Sequence, residues 1–350
     1  MDSRTTRLAA PDSGSAGFGT RGAVLVTGGA GYIGSHTAKA LRRAGYRVVI
    51  FDNLSAGHRE AALGAPLIEG DIRDLDAVRR ALRESEASVV MHFAARLLVG
   101  ESMTDPAGYY DNNVRGTLAT LEAMAREKCL HFVFSSTCAV YGESDEVPLR
   151  ETQSTAPINP YGQTKLAIEH ALPHFEHAYG IRSIRLRYFN AAGADPDGEL
   201  GEDHSPEVHV IPRAFEAANG GAPFQIFGED YPTPDGTCLR DYVHVTDLAD
   251  GHVRALQRLE AGGASATYNM GTEQPSSVRE VLAAVERAVG RPVPRRSAPR
   301  RPGDPAVLYA SANKIRSELG WVPQRAALDT IVGDAWRWHS THPHGFQRRG

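Results

Sequence analysis

Residues 24–34 read Val24-Leu25-Val26-Thr27-Gly28-Gly29-Ala30-Gly31-Tyr32-Ile33-Gly34. A short apolar run ends at glycines spaced Gly-x-x-Gly-x-x-Gly, at Gly28, Gly31 and Gly34. The run predicts a buried strand, and residues 31–44 carry the periodicity of a helix. A tight strand-to-helix turn needs positive φ, and a pyrophosphate needs close backbone approach. Glycine meets both needs because it has no Cβ. The helix N-terminus then offers free N–H groups and the positive end of a dipole. The next strand, Arg47–Phe51, ends in Asp52. A carboxylate there accepts both ribose hydroxyls of an adenosine and repels a 2′-phosphate, which favours NAD over NADP. Asn53 and its neighbours include no arginine to reverse that preference. Asp71 and Ile72, after a short strand at Pro66–Glu69, would flank the adenine. Asp before a helix is also a common N-cap.

Outward from this stretch the pattern repeats. Ser88–Ala94, His131–Ser135, Ile181–Tyr188 and Tyr242–Val245 read as strands. Residues 73–85, 114–127 and 161–179 read as helices, the last disturbed at Pro173. Apolar strands alternating with amphipathic helices predict an α/β fold, a doubly wound parallel sheet covered on both faces. From residue 191 the pattern loosens, with more Gly and Pro, as in a smaller mixed α/β lobe.

Composition narrows the function. The chain is 41% hydrophobic and 23% charged, which excludes a disordered polypeptide. A net charge of −4 gives no basic field for nucleic acid. No apolar run approaches the roughly eighteen residues of a membrane span. Cys129, Cys138 and Cys238 are odd in number and form no Cys-x-x-Cys pair, so a reducing, cytoplasmic setting is expected. Residues 1–21 lack the apolar core of a signal peptide and read as a disordered tail, with structure beginning near Arg21. His170, His174 and His177 fall at helical spacing, but no carboxylate or Cys completes a shell, and no metal is expected. Residues 291–302, with five arginines between prolines, form a loop or edge segment that either binds phosphate or is solvated.

The chemistry is carried by Asn159-Pro160-Tyr161-Gly162-Gln163-Thr164-Lys165. Four residues apart on a helix, Tyr161 and Lys165 share a face. A tyrosine acting as a base near neutrality must drop by about three pKa units, roughly 4 kcal/mol. Two positive charges can do this: the Lys165 ammonium and an oxidised nicotinamide. Phe134-Ser135-Ser136-Thr137 closes an earlier strand, and in a doubly wound sheet the carboxyl ends of strands face the ligand crevice. The Thr137 hydroxyl would hydrogen-bond a reacting alcohol or ketone beside Tyr161.

Taken together, VTGGAGYIGSHT, FDNLS, EGDIRD, YYDNNVRGT, FSSTCAVYGE, PYGQTK, RYFNAAGA and FGEDYPTPDGTCLRDYVHVTDLADGH are specific. From about Ala23 to about Gly345 the chain resembles the UDP-glucose 4-epimerases of the extended short-chain dehydrogenase/reductase family. The resemblance implies an NAD-binding Rossmann domain over 22–190. A mainly substrate-binding domain follows over 191–346, with about 241–260 returning to the first. It implies cofactor contacts at Tyr32, Ile33, Asp52, Asn53, Asp71, Ile72, Phe93, Ala94, Ala95, Asn112, Lys165 and Phe189. It implies UDP-sugar contacts at Asn190, Gln225, Phe227, Arg240, Arg301 and Asp304, the arginines forking onto the diphosphate. The implied reaction is oxidation at sugar C4 by NAD with Tyr161 as base, rotation of the 4-keto sugar, and return of hydride to its other face. A homodimer through the helices at 114–127 and 161–179 is also implied.

Some positions depart from the family. Thr137 stands where many relatives have Ser. Leu97, beside Arg96, stands where many carry Lys near the nicotinamide phosphate. His209 replaces an Asn that contacts pyrophosphate or ribose in some relatives. Leu308 replaces a Tyr that often walls the sugar pocket, and the smaller wall predicts that 2-acetamido sugars are accepted too. A dehydratase or decarboxylase wants an acid directly after the strand-end Thr, where this chain has Cys138 and Ala139. A UDP-pentose 4-epimerase stays open. A non-catalytic NAD binder has no need of Thr137, Tyr161 and Lys165.

Overall fold

The computed structural model describes residues 21–144, 146–301 and 304–346; the expected tail, Arg21 excepted, lies outside them. In chain order the first half runs β1 (Arg21–Thr27), α1 (Tyr32–Arg43), β2 (Tyr46–Asp52), β3 (Leu67–Glu69), α2 (Leu75–Ser85) and β4 (Ala87–His92). It continues with α3 (Val99–Thr104), α4 (Pro106–Tyr109), a π-helix at Tyr110–Arg115, α5 (Gly116–Glu127), β5 (His131–Thr137), α6 (Pro160–Tyr179), β6 (Arg182–Tyr188) and β7 (Asn190–Ala192). Then come α7 (Val210–Ala218), β8 (Phe224–Phe227), β9 (Leu239–Arg240), β10 (Tyr242–His244), α8 (Val245–Glu260) and β11 (Ala266–Met270). The chain closes with β12 (Ser276–Ser277), α9 (Val278–Val289), β13 (Arg295–Ala298), β14 (Val307–Leu308), α10 (Asn313–Leu319) and α11 (Leu328–Thr341).

Seven strands make the central sheet, in the order β11-β6-β5-β4-β1-β2-β3, every pair parallel. Side chains alternate between its faces. Val24, Val26, Val48, Ile50, Met91 and Ile184 pack with Leu41, Leu248 and Leu256 of α1 and α8. Leu25, Val49, Phe51, Val90 and Phe132 pack on the other face with Val78, Leu121, Ile168 and Leu172 of α2, α5 and α6. This double coverage is why the strands read as continuous apolar runs. A separate core joins Ile211, Phe215, Ile226, Leu282, Val285 and Val332 from α7, β8, α9 and α11. Three small sheets flank the large one: β7 with β10, β9 between β12 and β14, and β8 with β13. The excursion back to the large sheet extends past residue 260, because β11 adds its edge strand beside β6.

Two local expectations are corrected. Helix α6 runs unbroken through Pro173. A proline inside a helix costs about 3 kcal/mol, but this one faces solvent while buried Ile168 and Leu172 hold the helix to the sheet. The strand expected over 88–94 ends at His92, and Phe93 and Ala94 leave the sheet.

Candidate active site

The first strand pair sets the frame. Gly28 leaves β1 at φ +72° and donates to Phe51 O. A Cβ at Gly28 would lie 2.5 Å from Ala94 N, and one at Gly34 would lie 2.2 Å from Gly28 O. These two glycines are therefore imposed by backbone meeting backbone. Gly31 differs: φ is −84°, and a Cβ there meets only Gly28 O, at 3.4 Å. Its missing side chain leaves open space above the N-terminus of α1, which has no side-chain cap. Tyr32 and Ile33 open that helix. Ile33 packs on the core, and the Tyr32 hydroxyl donates to Gly193 O at 2.7 Å.

Asp52 closes β2 and is 8% exposed. One oxygen accepts from Ala30 N and the other from Leu54 N, both at 2.9 Å, so the carboxylate ties the glycine turn to the strand end. Burial raises its pKa against those amide donors. Asn53 reaches Asp71 at 3.4 Å. The Arg73 guanidinium beside Asp71 holds that carboxylate down at about 2. Ile72 is buried against Gly116. Phe93, Ala94 and Ala95 follow β4, next to β1, where the strand order reverses and a doubly wound sheet opens its crevice. Asn112 lies in the π-helix and donates to Asn113. Arg96 is held by Glu101 and Asp105 and stacks on Tyr109, while Leu97 is exposed beside it.

Thr137 ends β5 and is 7% exposed. Pro160 starts α6 at N1, and Asn159 caps it by accepting from Gly162 N at 2.8 Å. That cap aims the first turn, and Tyr161, at the end of β5. Burial pushes the Tyr161 phenol up to about 12, while its hydrogen bond to the Thr137 hydroxyl pulls the other way. One turn on, Lys165 is 3% exposed, donates to Ser135 O at 2.8 Å, and lies 5.0 Å from the Phe134 ring centroid. Burial lowers Lys165 to about 7, with Glu169 pulling it back. The three residues meet, but the protein alone does not make Tyr161 a good base, and the Lys165 charge is itself marginal at neutrality.

Other side chains brought here carry no sequence signal. Asn113 donates to Arg96 O and Thr164 Oγ1 and accepts from Arg96 N, which joins the end of β4 to α6. Nothing in YDNNV separates it from Asn112. Tyr188, at the end of β6, contacts Ser135 Oγ, and burial raises its phenol as it does that of Tyr161. Glu169, another turn along from Lys165, accepts from Ser136 Oγ at 2.6 Å and is paired with buried Arg187.

On the other side of the crevice, Arg240 (β9) is paired with Asp304 and donates to Leu239 O. Gln225 and Phe227 alternate on the less buried face of β8, and the Arg301 guanidinium stacks 4.0 Å over Phe227. Leu308 sits beside Arg240 in register and packs with Cys138, Tyr141 and Phe189, next to Thr137. Asn190 opens β7 and donates its N–H to Asp241 O. His209 sits at the N-cap position of α7 without a side-chain capping bond, its Nδ1 turned to Glu202 instead. Among the described residues, no helix is long and apolar enough to cross a membrane.

The sequence model of the NAD dependent epimerase/dehydratase family matches residues 24–271. A UDP-glucose 4-epimerase from Rhizobium leguminosarum bv. trifolii is 51% identical over 318 residues, covering 91% of this chain and 97% of the relative. The crystal structure of UDP-glucose 4-epimerase from Brucella ovis in complex with NAD superposes with a TM-score of 0.89 at 47% identity, covering 91% of this chain and 98% of that one. A UDP-glucose 4-epimerase from Stenotrophomonas maltophila, solved with bound NAD and formylated UDP-arabinopyranose, gives 0.89 at 40% identity, covering 92% and 99%.

Proposed function

The chain belongs to the NAD dependent epimerase/dehydratase family, and from that premise we propose that it interconverts UDP-glucose and UDP-galactose as an NAD-dependent 4-epimerase. The observation that carries this is the meeting of Thr137, Tyr161 and Lys165 at the end of β5, in the crevice where the glycine turn opens. The residues present fit a dinucleotide: the open space at Gly31, the uncapped α1 N-terminus and the buried Asp52 carboxylate match diphosphate and ribose. Tyr32, Ile33, Asn53, Asp71, Ile72, Phe93, Ala94, Ala95, Asn112 and Phe189 would line it. When bound, NAD supplies the acceptor and donor of hydride at sugar C4.

The chain's own groups do the rest. Tyr161 takes the C4 hydroxyl proton and later returns it. Thr137 hydrogen-bonds the C4 oxygen and the phenol. The protein alone holds Tyr161 near 12, so positive charge entering beside it is what makes it a base at neutral pH. Proton removal is thereby tied to cofactor occupancy. Arg240 and Arg301 take the diphosphate, with Asp304 orienting Arg240. Binding remote from the chemistry lets the sugar turn over without leaving.

The substrate range extends to 2-acetamido sugars through Leu308. The three cysteines are free thiols, in keeping with a cytoplasmic enzyme. The chain pairs as a homodimer through α5 and α6, where Met103, Tyr110, Ile158 and Tyr179 leave apolar surface exposed near these helices. The test is turnover of UDP-galactose by purified protein without added NAD. Tyr161→Phe should reduce it by about 10²–10⁴-fold. Undiminished turnover by the variant overturns the mechanism.

A further inference from the structure

Between β7 and α7 the chain reads Glu202-Asp203-His204-Ser205-Pro206-Glu207-Val208-His209. Four of these side chains converge. One ligand atom from each of Glu202, His204, Glu207 and His209 lies within 4.8 Å of the other three. Glu202 Oε1 is 3.2 Å from His204 Nδ1 and touches His209 Nδ1, and Glu207 Oε2 is 3.9 Å from His204 Nδ1. Glu202 is 4% exposed, and the Glu207 side chain 9%. Two observations set the group apart from an ordinary ion-pair cluster. His204 Nδ1 is buried and, despite its nearness to Glu202, makes no hydrogen bond. Among the described residues, no Lys or Arg pairs with Glu202 or Glu207, whereas the acidic trio Asp195, Asp197 and Glu199 is held by Lys39.

We propose that Glu202, His204, Glu207 and His209 form a binding site for a divalent cation of the zinc class, which fastens the 202–209 loop between the glycine turn and α7. Without an ion, His209 is the partner of Glu202; a divalent ion would replace that contact, supply positive charge to both carboxylates and take a lone pair from each imidazole. A nitrogen and oxygen donor set suits zinc, whose tetrahedral shell at about 2.0–2.1 Å per bond puts ligand atoms about 3.4 Å apart. The present separations straddle that value. Glu207 is already aimed: its Oε1 accepts from Val208 N and His209 N, which leaves Oε2 for the ion.

The position gives the ion a structural task. The His204 ring stands edge-on to Tyr32 of the glycine turn, centroids 6.1 Å apart, and His209 sits at the N-cap position of α7. One ion would fix the segment that carries the chain from the central sheet into the second core. The signal is invisible as a spacing, because Glu-x-His-x-x-Glu-x-His has neither helical nor strand period. Only the folded loop brings the four together.

The experiment strips the protein with a chelator, titrates it with zinc chloride or cobalt chloride, and counts metal by mass spectrometry. The expected result is one zinc per chain, a visible cobalt spectrum of tetrahedral intensity that zinc abolishes, and a proton released on binding. Glu207→Gln and His204→Ala should each weaken binding at least tenfold, while Asp197→Asn leaves it unchanged. Failure of the wild-type protein to take up stoichiometric zinc overturns the site, as does stoichiometric uptake that survives Glu207→Gln and His204→Ala made together in one chain. Should the variants not fold, the wild-type stoichiometry and cobalt spectrum decide alone. None of these readouts uses turnover, so the site and the epimerase reading fail separately.

Discussion

The two walls of the crevice are built by different means. The glycine turn is backbone packed on backbone: Gly34 against Gly28 O, and Gly28 against Ala94 N. The opposite wall is side chains carried on short, separate strands: Gln225 and Phe227 on β8, Arg240 on β9, Leu308 on β14. The first has no slack, because neither neighbour can rotate away. The second can exchange a residue and still fold. The glycine wall is fixed by sterics, and the opposite wall can vary by side-chain choice.

The hardest test of that contrast is Gly34→Ala. The added methyl has no route away from Gly28 O, so stability should fall by about 4 kcal/mol or more and retained dinucleotide should be lost. A variant that melts like the wild type in calorimetry and keeps its dinucleotide would show that the glycine turn does have slack. At the seam of the two walls lies Lys165, whose burial lowers it from an ordinary 10.5 to about 7. Between those values the unfolded chain binds more protons than the folded one, so stability rises with pH across that window. Lys165→Met removes this cost. With the dinucleotide stripped, the variant should be more stable than the wild type by about 2–3 kcal/mol at pH 6, and the advantage should shrink toward pH 10. Denaturant titrations at several pH values check the sign.

Gly31→Ala sharpens the contrast inside the turn itself. Its methyl meets ordinary van der Waals space, so melting should hardly change, while dinucleotide affinity should drop by about 10–100-fold because the pyrophosphate loses close approach. Calorimetry paired with dinucleotide titration separates the two effects. The smallest effect belongs to the permissive wall. Leu308→Tyr should cut turnover of UDP-N-acetylgalactosamine about tenfold relative to UDP-galactose, with little change in stability. Equal losses on both substrates would mean that this wall is not where the sugar is selected.

The same division explains what could be read in advance. The strands and helices of the central sheet were legible because each is a local event, an apolar run or a helical period between glycines. The pairing of Tyr161 with Lys165 was legible because one helical turn joins them. The substrate wall was not. Strand β9 is two residues long and pairs with Ser276–Ser277 and Val307–Leu308, far along the chain, so only likeness to a family could nominate Arg240. The π-helix at Tyr110–Arg115 has no sequence period to announce it, and Asn113 inside it looks like its neighbour. Glu169 reads as an ordinary helix residue until Arg187 arrives from β6. Pro173 misled in the opposite direction, since a propensity argument ignores the packing on either side of it.

Helix α1 does more than present its N-terminus. Its Lys39 is anchored to Asp195 at 2.5 Å, Asp197 at 3.0 Å and Glu199 at 2.5 Å, and its Tyr32 reaches Gly193 O. The same rod whose uncapped N-terminus opens at the glycine turn is thus bolted to the crossover leading into the second core. A clamshell opening of the two cores would have to separate Lys39 from three carboxylates, of which Asp195 is buried and Asp197 and Glu199 are exposed. The molecule is braced at this end, where the first helix of the large sheet is tied to the chain that leaves it.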